Sequence, residues 1–207
     1  MSEELRQAVA NSDLHGMKRL IDRGDDPSAA DANGVTPLAM AVKQGHSGAI
    51  RLLLDARANP NARDRAGMSV LMLAAATKQA DVVTLLVQRG AQVNAANEEG
   101  NNALMIAARA GHAAVIQALI EAGADVNATN RDGVTPLMQA ARLQQASILK
   151  LLIDAGADPR AIDKYGRRAL VYAGEKGQPP AVIVRMLGGK PSEASRPEAD
   201  RPWWKVW

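Results

Sequence analysis

One segment recurs along this chain every 33 residues, and no other feature restricts the fold as much. "DANGVTPLAMAVKQGHSGAIRLLLDARANPNAR" begins at Asp31, "DRAGMSVLMLAAATKQADVVTLLVQRGAQVNAA" at Asp64 and "NEEGNNALMIAARAGHAAVIQALIEAGADVNAT" at Asn97. "NRDGVTPLMQAARLQQASILKLLIDAGADPRAI" follows at Asn130 and "DKYGRRALVYAGEKG" at Asp163. Gly34, Gly67, Gly100, Gly133 and Gly166 fall in register, and so do Leu38, Leu71, Leu104, Leu137 and Leu170. A unit this short cannot bury an apolar face alone, so the units must stack on one another.

Each recurring position has a physical role. The glycine allows a tight turn at positive φ. Thr36, Ser69, Asn102 and Thr135 then supply N-caps, with Pro37 and Pro136 at the first helical position. Leu38 and Ala41, with their counterparts in the later units, form an i, i+3 apolar stripe on a first helix. A second helix carries Ile50, Leu53 and Leu54, then Val83, Leu86 and Val87, then Ile116, Leu119 and Ile120, then Leu149, Leu152 and Ile153. It stops at Gly90, Gly123 and Gly156, each suited to a left-handed cap. Arg57 stands where such a glycine belongs, so Arg57→Gly is expected to stabilise by about 1 kcal/mol. These helices are roughly eight to ten residues long and marginal in isolation.

"DGVTPLMQAA", "AGHAAVIQALIEAGADVNA" and "NGVTPLAMAVKQGH" resemble ankyrin repeats. The resemblance covers residues 1–190 in about six units starting near 1, 31, 64, 97, 130 and 163, and leaves 191–207 as a flexible proline-rich tail. The first unit is in phase at Leu5, Ala8, Met17, Leu20 and Gly24 and looks like a capping repeat without its own turn. The implied fold is all-α, an ankyrin-repeat solenoid of helix-turn-helix units joined by β-hairpin-like loops. The family's usual histidine is replaced by Ala39, Met72, Met105, Met138 and Val171, which turns a hydrogen-bonding ladder into an apolar one. The last unit is degenerate: Arg168 replaces the N-cap, and "GQPP" inserts two residues before Val184, Met186 and Leu187.

The resemblance implies binding of another protein, with an acidic or apolar surface, through a concave groove built from turn tips and first helices. The matching positions in this sequence include Val35, Lys43, Met68, Asn101, Arg109, Arg131, Val134, Arg142, Leu143, Tyr165, Arg167 and Lys176. Arginine beside apolar groups is a common composition for an interface centre. A stoichiometric inhibitor or regulatory subunit of an enzyme is the alternative within the same class. Monomeric behaviour is expected.

Enzymatic chemistry finds no foothold in the sequence. There is no cysteine, and the three histidines, His15, His46 and His112, lack metal-ligand spacing. His46 and His112 sit in "GH" pairs that the family pattern uses structurally. No G-x-S-x-G, Walker, G-x-G-x-x-G or H-E-x-x-H motif occurs, so no catalytic residue, metal or cofactor is expected. A net charge of +3 with arginines spread along the chain does not make the dense basic stripe that nucleic acid requires. The polar, acidic start carries no secretory signal and no apolar run spans a bilayer, so a cytoplasmic protein is expected, or a periplasmic one if a signal peptide was removed.

The end of the chain stands outside the repeat pattern. All three tryptophans, Trp203, Trp204 and Trp207, fall in "WWKVW", in a chain with no phenylalanine. Four roles are open to them: folding back on the last repeat or groove, binding another protein, touching a membrane interface, or remaining disordered. The first is favoured and the second comes next, as an aid to partner binding.

Overall fold

The computed structural model describes residues 1–189, and among them twelve α-helices follow one another as six consecutive pairs. These are α1 (Glu3–Ala10) and α2 (Leu14–Asp22), α3 (Pro37–Gln44) and α4 (Ser47–Asp55), then α5 (Val70–Ala76) and α6 (Ala80–Gln88). They continue as α7 (Ala103–Ala110) and α8 (Ala113–Glu121), α9 (Pro136–Ala141) and α10 (Ala146–Asp154), then α11 (Ala169–Gly174) and α12 (Ala181–Met186). Among the described residues the only β pairing is one isolated bridge, Arg63 with Ser69, so the architecture is the all-α repeat solenoid that the period predicts.

Among the described residues two compact units are distinguished, the first of residues 1–107 and 114–125, the second of residues 108–113 and 126–189. In the first unit α1 packs on α3 and α3 on α5, while α2 packs on α4. Within it the pairs α1/α2, α3/α4 and α5/α6 also close on themselves. The second unit repeats the scheme: α9 packs on α10 and α11, and α10 on α12. First helices therefore stack on first helices, and second on second.

Local sequence explains where the helices begin and end. The side-chain oxygens of Thr36, Ser69, Asn102 and Thr135 accept from the N–H three residues on, at 3.2, 3.2, 2.9 and 3.3 Å. Ser2 caps α1 in the same way, from Leu5 N–H at 3.2 Å; Leu5, Ala8 and Met17 are buried and Leu20 is half-buried. Arg57 has φ +62°, the left-handed conformation that its glycine counterparts adopt. The tip glycines have a second constraint. A Cβ on Gly34, Gly67 or Gly133 would lie 3.0–3.1 Å from the backbone of the next loop, so adjacent loops stack too closely for a side chain.

Two expectations need correction. The two-residue insertion in the last pair is present, but it places Ile183, Val184 and Leu187 in the core and leaves Met186 half-buried, because α12 starts at Ala181 and turns Ile183 inward. The apolar ladder also stops short. Ala39, Met72, Met105 and Met138 are buried, while Val171 is 37% exposed.

Candidate partner-binding face

The predicted interface residues stand on loop tips and first helices, and the tips are held by one repeated device. The first side chain of each later unit folds back on its own loop. Asp31 Oδ1 accepts from the N–H groups of Asn33 (2.8 Å) and Val35 (2.9 Å). Asp64, Asn97, Asn130 and Asp163 do the same for the residues two and four positions on, at 2.8–3.0 Å. The Val35 and Asn33 N–H groups hold the Asp31 carboxyl below the usual carboxylate range. Each loop also closes on itself through backbone bonds such as Asp31 N–H to Val35 O, 2.9 Å.

A second ladder joins neighbouring loops. Asn61 Nδ2 donates to Gly90 O (3.0 Å), and its Oδ1 accepts from Gln92 N–H (2.8 Å). Asn94 bridges to Gly123 O (3.2 Å) and Asp125 N–H (2.9 Å). In the second unit Asn127 bridges to Gly156 O and Asp158 N–H, at 2.9 and 2.8 Å. Arg160 stands at the next register and ends the series.

The densest polar cluster lies in the second unit, around Asp163. Its side chain is completely buried, yet its oxygens accept from Tyr165 N–H, Arg167 N–H, Arg167 Nε (2.8 Å each) and the Tyr172 hydroxyl (2.6 Å). Burial alone would raise the Asp163 pKa; the hydrogen bonds from Tyr172, Arg167 and Tyr165 outweigh it and hold the carboxyl below its ordinary range. Burial pushes the Tyr172 phenol well up, and its bond to Asp163 adds to the shift. The Arg167 guanidinium lies 5.0 Å from the Tyr165 ring centroid and 4.8 Å from that of Tyr172. Arg142 reaches the Tyr172 ring at 5.9 Å and pairs with Glu175 at 2.7 Å. Lys164 lies 5.2 Å from the Tyr165 ring and is paired with Asp132.

The predicted residues thus divide by environment. Tyr165, Arg167 and Arg142 come together in this cluster, with Arg167 half-buried and both arginines occupied by carboxylates. Asn101 and Val134 are only 6% and 7% exposed, although the same loop bonds leave Val35 and Met68 half-buried. Val35, Met68 and Leu143 are half-buried; Lys43, Arg109, Arg131 and Lys176 are exposed. Trp203, Trp204 and Trp207 lie outside the described residues. Asp163 and Tyr172 escaped the sequence reading. Their signals are the Asp or Asn opening each of the five later units, and a tyrosine where Met40, Leu73, Ile106 and Gln139 stand in the other repeats.

No group of three His, Cys, Asp or Glu side chains is placed to hold a metal ion among the described residues. None of their helices is long and apolar enough to cross a membrane. His46 links two helical pairs by a hydrogen bond, its Nδ1 lying 3.0 Å from Val9 O of the preceding pair.

Comparison with known proteins agrees with this geometry. The family model described as ankyrin repeats (3 copies) matches residues 5–97, 58–130 and 104–190. No curated protein matches the chain. With paired helices, stacked loop tips and matches running from residue 5 to residue 190, the chain belongs to the ankyrin-repeat family, whose repeats are generally protein–protein interaction modules rather than enzymes.

Proposed function

We propose that this protein captures a partner protein through the loop-tip and first-helix face of its second unit, centred on Tyr165 and Arg109. The observation that carries the reading is Tyr165. In a chain with two tyrosines and no phenylalanine, this ring is 63% exposed at a loop tip, yet held by Lys164 and Arg167 at 5.2 and 5.0 Å. A pre-ordered aromatic flanked by cations loses little freedom on binding and has the composition of an interface hot spot. Arg109, Arg131 and Lys176 add exposed positive charge with no ion-pair partner among the described residues, which suits an acidic patch beside an apolar pocket.

The repeats of residues 1–190 form the binding domain in this reading, and the segment 191–207 is a separate element. The test is affinity capture with the full chain as bait, beside a Tyr165→Ala, Arg109→Glu double variant and a Lys150→Glu control on α10. We expect a protein set retained by the wild type and the control but lost from the double variant, with unchanged helical melting. Equal capture by the double variant sinks the proposal. A partner whose own activity is blocked by the pure chain identifies an inhibitor; simultaneous capture of two partners identifies a scaffold.

A further inference from the structure

One apolar stripe on the last helical pair is left uncovered. Leu38, Leu71, Leu104 and Leu137 are at most 1% exposed, and Val42, Ala75, Ala108 and Ala141 are fully buried. In α11 the same registers hold Leu170 and Gly174, both half-buried, while Val171 is 37% exposed where Met72, Met105 and Met138 are at most 1%. Positions 170, 171 and 174 share one side of a helix. In the first unit α3 packs on α5 as well as α1; α11 packs on α9, and among the described residues no further first helix stands beyond it. Gly174 deepens the gap, because a Cβ built there meets nothing within 4 Å. The stripe is therefore a shallow apolar notch rather than a closed end.

We infer that this notch is the docking site for the chain's own C-terminal tryptophans, Trp203, Trp204 and Trp207. The chain turns out of α12 at Gly188 (φ +77°), with Gly189 N–H bonded to Val184 O at 2.8 Å, so it leaves the axis of that helix. Trp203 stands fourteen residues beyond Gly189. Fourteen residues reach up to about 50 Å, and packed helix axes lie roughly 10 Å apart, so the notch is well within range. Attachment sets an effective concentration on the order of millimolar, which favours this occupant over a second copy or a free partner. The chemistry also matches: the repeat cores use no tryptophan or phenylalanine, while the segment that follows the uncovered stripe carries three indole rings. The inference is independent of the partner face around Tyr165, and either can fail alone.

Tryptophan emission reports this segment alone, because every tryptophan lies in it. In the full-length chain we expect blue-shifted emission, several-fold protected from iodide and unchanged over a hundredfold dilution. Val171→Glu and, separately, Gly174→Gln are expected to move the emission to the red and abolish the protection. Gly174→Gln replaces a helical glycine with a better helix former, so its helical melt is not expected to fall, and the loss of protection cannot be assigned to unfolding. Red, fully quenched wild-type emission overturns the inference. So does protection that disappears on dilution, which assigns the notch to a second copy. Blue emission only with anionic vesicles assigns the rings to a membrane surface, and protection unchanged in both variants places the rings elsewhere; each result overturns it.

Discussion

Asp163 shows how one residue can be regular in sequence and singular in structure. It opens a unit as Asp31 and Asp64 do, yet only here does the second carboxylate oxygen meet an arginine and a tyrosine hydroxyl. Its folded pKa is depressed, so the stabilisation is complete above the unfolded value of about 4 and is lost as pH falls through the folded pKa. Asp163→Asn is expected to cost about 1–3 kcal/mol at pH 7, read from the urea midpoint, and the gap from wild type should narrow below about pH 4. A gap that does not change with pH would assign the loss to packing. Arg57 makes the complementary case. Its φ of +62° confirms the position read from the repeat, and Arg57→Gly should raise the thermal midpoint by an amount equivalent to about 1 kcal/mol.

At the level of elements, the loops are joined by side chains that helix periodicity does not reveal. Asn94 makes two bonds to the next loop, to Gly123 O and Asp125 N–H. Asn94→Ala is expected to destabilise by about 1–2 kcal/mol in chemical denaturation, although the residue lies on the surface. A change within error would show that water replaces both bonds at no cost. The helices themselves were legible because their signals are local: a Thr or Ser cap, an i, i+3 stripe, a glycine stop. The asparagine ladder was not, because its partners stand 29 and 31 residues away and exist only once neighbouring units stack. Gln79 follows the same logic, donating to Val42 O at 2.7 Å from one helical pair to the one before.

Across the whole molecule, stability follows from neighbours rather than from one central core. Leu71, 1% exposed on α5, and Leu170, half-buried on α11, occupy the same register. Leu71→Ala should cost about 2–5 kcal/mol, and Leu170→Ala, on a stripe that only the tryptophans cover, should cost more in the full-length chain than in one ending at Gly189, as measured by denaturant unfolding; equal Leu170→Ala losses in the two chains would show that the tail does not cover the α11 stripe. The sequence by itself determined the period, the six helical pairs, their caps and the apolar registers, because all of these are repeated and short-range. Only the tertiary structure decided which cations are already occupied. Arg142 is taken by Glu175 and Arg167 by Asp163, whereas Arg109, in a register identical to that of Arg142 and likewise exposed, has no ion pair among the described residues. It also decided that Asn101 and Val134 turn inward and that Val171 faces out. Register assigns a residue to a place on its own repeat, but pairing and exposure depend on what the next repeat brings within a few ångströms of it.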